Sequence, residues 1–310
     1  MTTWGSAGEN GPARDSTLPL PVVDLPSGAG PAPSPDVISV GRGHTPTGAY
    51  GRMPRLPRRR RGRRLLRRTA IVVVALALLG VAAFGGLMIA TPSVGNAREL
   101  VQAQDVAHDA VYPGPPVPMR FAESLVATED KRFYSEPGID LFAVGRVAAG
   151  YVTGHGIEGG ATLYQQLAKL LYTHGQSSAS DEAEQIALAV KLDLAYSKQQ
   201  ILQMYADVVY FGNDFYGLAA ASCGYFGVPP AALSWPEAAM LAGMVQGPSL
   251  DDPLTHPANA RAREIHVVGR LVATGKLTQA QGNAALAVPV SSLIVGAGQG
   301  IVGAGQGCAP

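Results

Sequence analysis

Glu129 and Asp130 stand side by side in LVATEDKRFYSEPGIDLFAVGR (residues 125–146), after a short apolar run and ahead of Lys131, Arg132, Phe133 and Gly138. A carboxylate held at the edge of an apolar segment is a candidate general base, able to take a proton from a hydroxyl as a bond forms. The same dipeptide would serve equally well as solvated charge on a helix face, because Asp and Glu are seldom buried. The pair alone does not choose between these roles. Metal chemistry on cysteine has little support: Cys223 and Cys308 are the only two cysteines, and neither belongs to a CxxC or a Cys/His cluster of zinc-ligand spacing. A disulfide between them is open.

The elements that must carry these residues read as helices. RFAESLVATEDKRF, GATLYQQLAKLLYTHG, DEAEQIALAVKLDLAY, SKQQILQMYADVVYFG and SWPEAAMLAGMVQG are rich in Ala, Leu, Gln and Glu, which favour helix. Leu163, Leu167, Leu170 and Leu171 recur at helical spacing and predict one buried face. Ser234, Pro236 and Glu237 predict a capped helix start. Ile186, Leu188, Val190, Leu192 and Leu194 alternate as in a strand, but Ala187, Ala189 and the charged start favour helix here too. The expectation is a mainly α domain over 97–290, large enough for its own core.

Charge is divided unevenly along the chain. Residues 1–68 hold 12 Arg, no Lys and four acidic residues, leaving the remainder net acidic although the whole chain is +1. The first fifty residues, rich in Pro, Gly and Ser, predict disorder. PRLPRRRRGRRLLRR (54–68) could by itself be a nucleic-acid patch, but the next segment decides otherwise. TAIVVVALALLGVAAFGGLMIAT (69–91) has no charged residue, and its apolar length, about 31 Å as a helix, spans a bilayer core. Arginines immediately before an uncharged span place the N-terminus in the cytoplasm and residues after 91 outside. The apolar stretch and its leader are too long for a cleaved signal peptide, so an uncleaved anchor is expected. The tail repeats IVGAGQG at 294–300 and 301–307, and 291–310 reads as a flexible Gly-rich segment.

Taken together these segments resemble peptidoglycan glycosyltransferase family 51, the lysozyme-like module of penicillin-binding proteins and monofunctional transglycosylases. The resemblance runs over roughly residues 110–285. EDKRFYSEPGID (129–140), GGATLYQQLAKLL (159–171), YSKQQILQMYADVVYFGNDFYG (196–217) and, more loosely, RAREIHVVGRL (261–271) follow the family's motif order; AAASCGYFG and PEAAMLAGMVQGPS match intervening pattern. The resemblance implies a bacterial, single-pass plasma-membrane enzyme that polymerises a lipid-linked disaccharide-peptide precursor into β-1,4 glycan with inversion. It implies Glu129 as catalytic base, and Asp130, Phe133, Thr162, Gln165, Gln166, Lys169 and Gln185 around the substrate, with Lys169 near the pyrophosphate. Gln165 and Gln166 are adjacent helical positions and cannot both face one way. The implied partners are the lipid-linked precursor, the membrane and other cell-wall synthesis proteins, with no nucleic acid.

The third family motif departs. Its Arg-Lys pair falls on Asp181 and Glu182, its second Glu on Gln185, and a further basic position near Ser177. Ala161 replaces a usual Ser, Tyr164 a Thr, Asp207 an Asn and Glu136 a common His. Exchanging cation for anion beside a diphosphate is a swing of several kcal/mol, roughly, at an effective dielectric near 20. A divalent cation (Mg or Mn) bridging Asp181 or Glu182 to the diphosphate would offset it; no other cofactor is implied. Two alternatives follow: a non-catalytic member that binds the precursor or another cell-wall enzyme as a scaffold, and a lytic enzyme using one Glu. No SxxK nucleophile with its SxN and KTG partners is present, so no penicillin-sensitive domain is expected.

Overall fold

The computed structural model describes residues 60–136, 138, 161–176 and 178–295. The leader over 1–59, Ile139, Asp140, Gly159, Gly160, Ser177, Cys308 and the repeats from residue 296 onward lie outside the described residues. Among the described residues the structure is helical throughout, with a single isolated β-bridge between Tyr210 and Tyr216.

Helix α1 spans Arg60–Ala90. It starts within the Arg run, earlier than the apolar segment alone suggests, because Arg and Leu are good helix formers and nothing interrupts them. Its Leu65–Ala90 portion has mean hydropathy 2.6 and none of its most apolar window is buried within the protein. A helix that is apolar all round and unburied suits a lipid environment. The turn after α1 is tied to the domain: Lys191 Nζ donates to the carbonyls of Thr91 (2.7 Å) and Pro92 (2.9 Å), and the Tyr196 hydroxyl donates to Val94 O (2.8 Å).

The remaining helices are α2 (Ala97–Ala107), α3 (Met119–Glu129), α4 (Leu163–Leu171), α5 (Ala179–Ala195), α6 (Lys198–Val208), α7 (Gly217–Phe226), α8 (Trp235–Met244), α9 (Pro257–Ala273), α10 (Gln279–Leu286) and α11 (Val290–Leu293), with a 3-10 turn at Pro230–Ala232. They pack in two sets. α3, α8 and α9 pack against one another, with α10 and α11 beside α9. α4, α5 and α6 form the other set, with α2 against α4 and α6. α8 is buried from Ala238 to Met244, as its run of Ala, Met, Leu and Gly predicts for a central helix.

Starts of these helices are written locally. Thr162–Gln165, Ser178–Asp181, Ser197–Gln200, Ser234–Glu237 and Thr278–Gln281 each form a reciprocal capping box, two orphan donors satisfied by two side chains. The alternating Ile186–Leu194 segment is helical: Leu188 and Leu192 are buried, while Leu194 is 78 % exposed. Gly138 explains its place in the first motif. A Cβ there would lie 2.3 Å from Ala189 O of α5, so the chain passes too close for any other residue.

Candidate active site

Glu129 is the last residue of α3, where the helix runs out against the start of α4. Its neighbour Asp130 is buried, and its Oδ2 accepts from the Leu163 N–H at 3.2 Å. A carboxylate at a helix N-terminus answers an orphan N–H and the positive end of the dipole. Asp130 therefore joins α3 to α4 and fixes the direction in which Glu129 leaves the helix.

Both oxygens of Glu129 accept an amide. Gln166 Nε2 donates to Oε2 at 3.0 Å, and Gln246 Nε2 donates to Oε1 at 2.9 Å. Gln166 is oriented in turn by the Tyr205 hydroxyl of α6, which donates to its Oε1 at 2.7 Å. Tyr205 is 2 % exposed, and burial together with the nearby Glu129 raises its phenol, so it stays a donor. A proton-bearing phenol forces Gln166 to present its NH2 to Glu129. The chain Tyr205–Gln166–Glu129 thus sets one oxygen of the carboxylate from the core outward.

These groups line one cavity of about 580 Å³, together with Lys169, Gln165, Gln185, Tyr210 and the apolar Leu170, Val209, Val245 and Pro248. Lys169 stands in the last turn of α4, one turn beyond Gln166. Among the described residues its ammonium has no hydrogen-bond or ion-pair partner. A lone cation and a held carboxylate in one cleft suit proton removal from one substrate and charge neutralisation on another.

The adjacent glutamines divide as helix geometry requires. Gln165 Oε1 accepts from Thr162 N at 2.9 Å to complete the α4 cap, while Gln166 takes Glu129. Thr162 is buried and also structural: its hydroxyl donates to Gly138 O at 3.0 Å and accepts from Gln165 N at 3.2 Å. Phe133 is 1 % exposed and packs its ring on Tyr164 rather than lining the cleft. Lys198 gathers this corner, donating to Glu136 O at 2.8 Å and the Tyr164 hydroxyl at 3.2 Å with its ammonium over both rings. Gln185 reaches the cavity wall, but its NH2 donates to Thr173 Oγ1 and Gln176 O, both at 2.8 Å. It pins the loop between α4 and α5.

Asp181 and Glu182 occupy the first turn of α5. Asp181 Oδ2 accepts from both Ser178 N (2.9 Å) and Ser178 Oγ (2.6 Å), which lowers its carboxyl below the usual range. An acid at that position stabilises its own helix. Neither residue lines the cavity. No three metal-ligating side chains converge among the described residues, and an Asp181 oxygen committed to a cap does not fit a bridging ligand, so no chemical step is assigned to a metal.

Tyr205 and Gln246 lie inside quoted segments but were not singled out by sequence. Tyr205 carried one signal, since a tyrosine on an otherwise apolar helix face needs a partner for its hydroxyl. Gln246, just past the end of an apolar helix, carried none.

The family model described as Transglycosylase matches residues 96–272. Penicillin-binding protein 1A of Neisseria flavescens is 35 % identical over 170 residues, 54 % of this chain and 21 % of that protein. A Cupriavidus necator protein carrying the name transglycosylase is 29 % identical over 218 residues, 69 % of this chain and 94 % of its own. The crystal structure of penicillin-binding protein 1A from Haemophilus influenzae aligns with TM-score 0.35 and 22 % identity, over 57 % of this chain and 17 % of that one. The chain thus spans about a fifth of the length of these penicillin-binding proteins.

Proposed function

We propose, from the premise that this chain belongs to the transglycosylase family, that it is a membrane-anchored peptidoglycan glycosyltransferase with Glu129 as its general base. The substrate is a lipid-linked disaccharide-peptide precursor, and the product a β-1,4 glycan strand. Glu129 takes the proton of the acceptor sugar hydroxyl as its oxygen bonds to the donor's anomeric carbon. The bond from that carbon to the lipid pyrophosphate breaks on the opposite face, and the pyrophosphate leaves with the electron pair. Lys169 offsets its charge. One observation carries the reading: the Glu129 carboxylate, held by Gln166 and Gln246, faces the cavity that Lys169 also lines.

In this reading residues 1–68 lie in the cytoplasm, the apolar helix crosses the plasma membrane once, and 97–290 form the catalytic domain outside. Asp130, Phe133 and Thr162 then act from behind the cleft, by holding the start of α4 and the corner beside it in place, and Gln165 and Gln185 by shaping its rim and loop.

A second reading is a precursor-binding scaffold without polymerase activity. Asp181 and Glu182, where the family resemblance implies cations, favour it. The experiment is polymerisation of fluorescent lipid-linked disaccharide by the detergent-solubilised full chain beside Glu129→Gln. Polymer from the wild type alone is expected. Precursor binding without polymer from either protein would replace the enzyme with the scaffold.

A further inference from the structure

The two amides on Glu129 are not equivalent. Gln166 is fixed from behind by the buried Tyr205 hydroxyl, whereas Gln246 is exposed and its amide has no second hydrogen bond among the described residues. Its backbone, in contrast, is held. Gln246 opens a turn in which Gly247 N donates to Met244 O (3.0 Å) and Asp251 N to Gly247 O (2.8 Å). Arg263 of α9 fastens that turn at both ends, donating to Gly243 O at 3.0 Å and pairing with Asp251 at 3.5 Å. One helical stretch further along, Arg270 donates to Ala127 O at 3.1 Å, in the α3 turn that ends at Glu129. The same helix therefore sets the spacing between the backbone carrying the carboxylate and the backbone carrying the second amide.

With Oε2 hinged on Gln166, a carboxylate could still rotate about its last side-chain torsion, a broad and soft one. Gln246 is the group that stops this. We infer that Gln246 is a positioning residue which holds Glu129 Oε1 toward the open side of the cavity, where an acceptor hydroxyl must approach. α9 contributes to the site from behind, through Arg263 on the Gln246 turn and Arg270 on the α3 turn that carries Glu129. The inference rests on the reading of Glu129 as the base, and it adds a residue outside the segments that carry Glu129 and Lys169. Proton transfer is sensitive to such aim, because small misplacements of a reacting pair cost large factors in rate.

The test compares Gln246→Ala, Gln246→Asn and Gln246→Glu with wild type and Glu129→Gln in the full chain. Since Gln246 is exposed, thermal midpoints should stay unchanged. Gln246→Ala should lower kcat roughly tenfold to a hundredfold with little change in precursor KM. A carboxylate introduced by Gln246→Glu repels the charge on Glu129, so the acid limb of the rate profile should move to higher pH, by roughly one unit. Unchanged kcat and an unmoved pH profile in an active protein would overturn the role. Wild-type inactivity would instead remove the enzymatic reading. The carboxyl-carbon shift titration of Glu129, followed by NMR, still decides the contact in that case: a midpoint that moves on Gln246→Glu supports it, and one that does not refutes it.

Discussion

Lys191 Nζ sits 2.7 Å from the carbonyl oxygen of Thr91, so a side chain of α5 closes the C-terminal end of the long apolar helix α1. The last carbonyls of any helix lack intrahelical donors, and a cation is favoured at that end. The contact joins the apolar helix to the same helix whose N-terminal part pins the cavity loop through Gln185. Lys191→Met keeps the aliphatic stem and removes the donors. We expect faster hydrogen exchange at the Thr91 and Ala97 amides, by a factor reflecting about 1–3 kcal/mol of local stability. Unchanged exchange there would show that the junction is held by packing alone.

Tyr205→Phe removes the hydroxyl that orients Gln166 while keeping the buried ring. The Gln166 Oε1 is then left without its donor, and the amide no longer has a reason to present NH2 to Glu129. The expected stability loss is about 1 kcal/mol, read by denaturant unfolding. Polymerisation should fall by more than that loss explains. Full activity with the full stability cost would confine Tyr205 to the core.

Lys169→Ala should weaken binding of the lipid-linked precursor, measured by titration in detergent, with Lys169→Arg retaining most of it. A neutral replacement removes the cavity-lining ammonium, which has no partner among the described residues. The loss should shrink as salt is raised, because screening weakens charge pairing. Equal binding by the alanine variant at low salt would move the donor site elsewhere.

Asp105 of α2 and Asp207 of α6 give the domain a pH-dependent stability. Asp105 is 1 % exposed and its Oδ2 has no hydrogen-bond partner among the described residues; burial, and then the neighbouring Asp207, push it up to about 7. Burial pushes Asp207 up to about 6, against the opposing hydrogen bonds from Gln203 and the Gly114 N–H. Both folded-state values lie above the ordinary unfolded value near 4. The native state therefore binds more protons than the unfolded chain between these limits, and this pair makes stability fall as pH rises from about 4 to about 7. Asp207→Asn keeps a carbonyl for Gln203, which donates to Oδ1 at 2.8 Å, and removes one charge. We expect it to raise the unfolding midpoint at pH 7.5 and leave it almost unchanged at pH 4.5. A midpoint equally raised at both values would exclude charge as the cause.

Local chemistry was readable in the chain. The Ser234–Glu237 cap, the helical stripe of Leu163, Leu167 and Leu171, and the long apolar segment all rest on neighbours a few residues apart, so their residue types alone determine them. The division between Gln165 and Gln166 was half legible: adjacency on a helix says they diverge, but not which one meets the carboxylate. Tertiary structure decided that, because Gln166 lies 37 positions from Glu129 and is oriented by a tyrosine 39 positions further along. Gln246 arrives from 117 positions away, on a turn placed by Arg263. The Asp105–Asp207 pair likewise exists only where α2 meets α6. Spacing along the chain fixes what a helix can present, whereas hydrogen bonds between distant side chains depend on how helices pack, and that follows from the whole core at once.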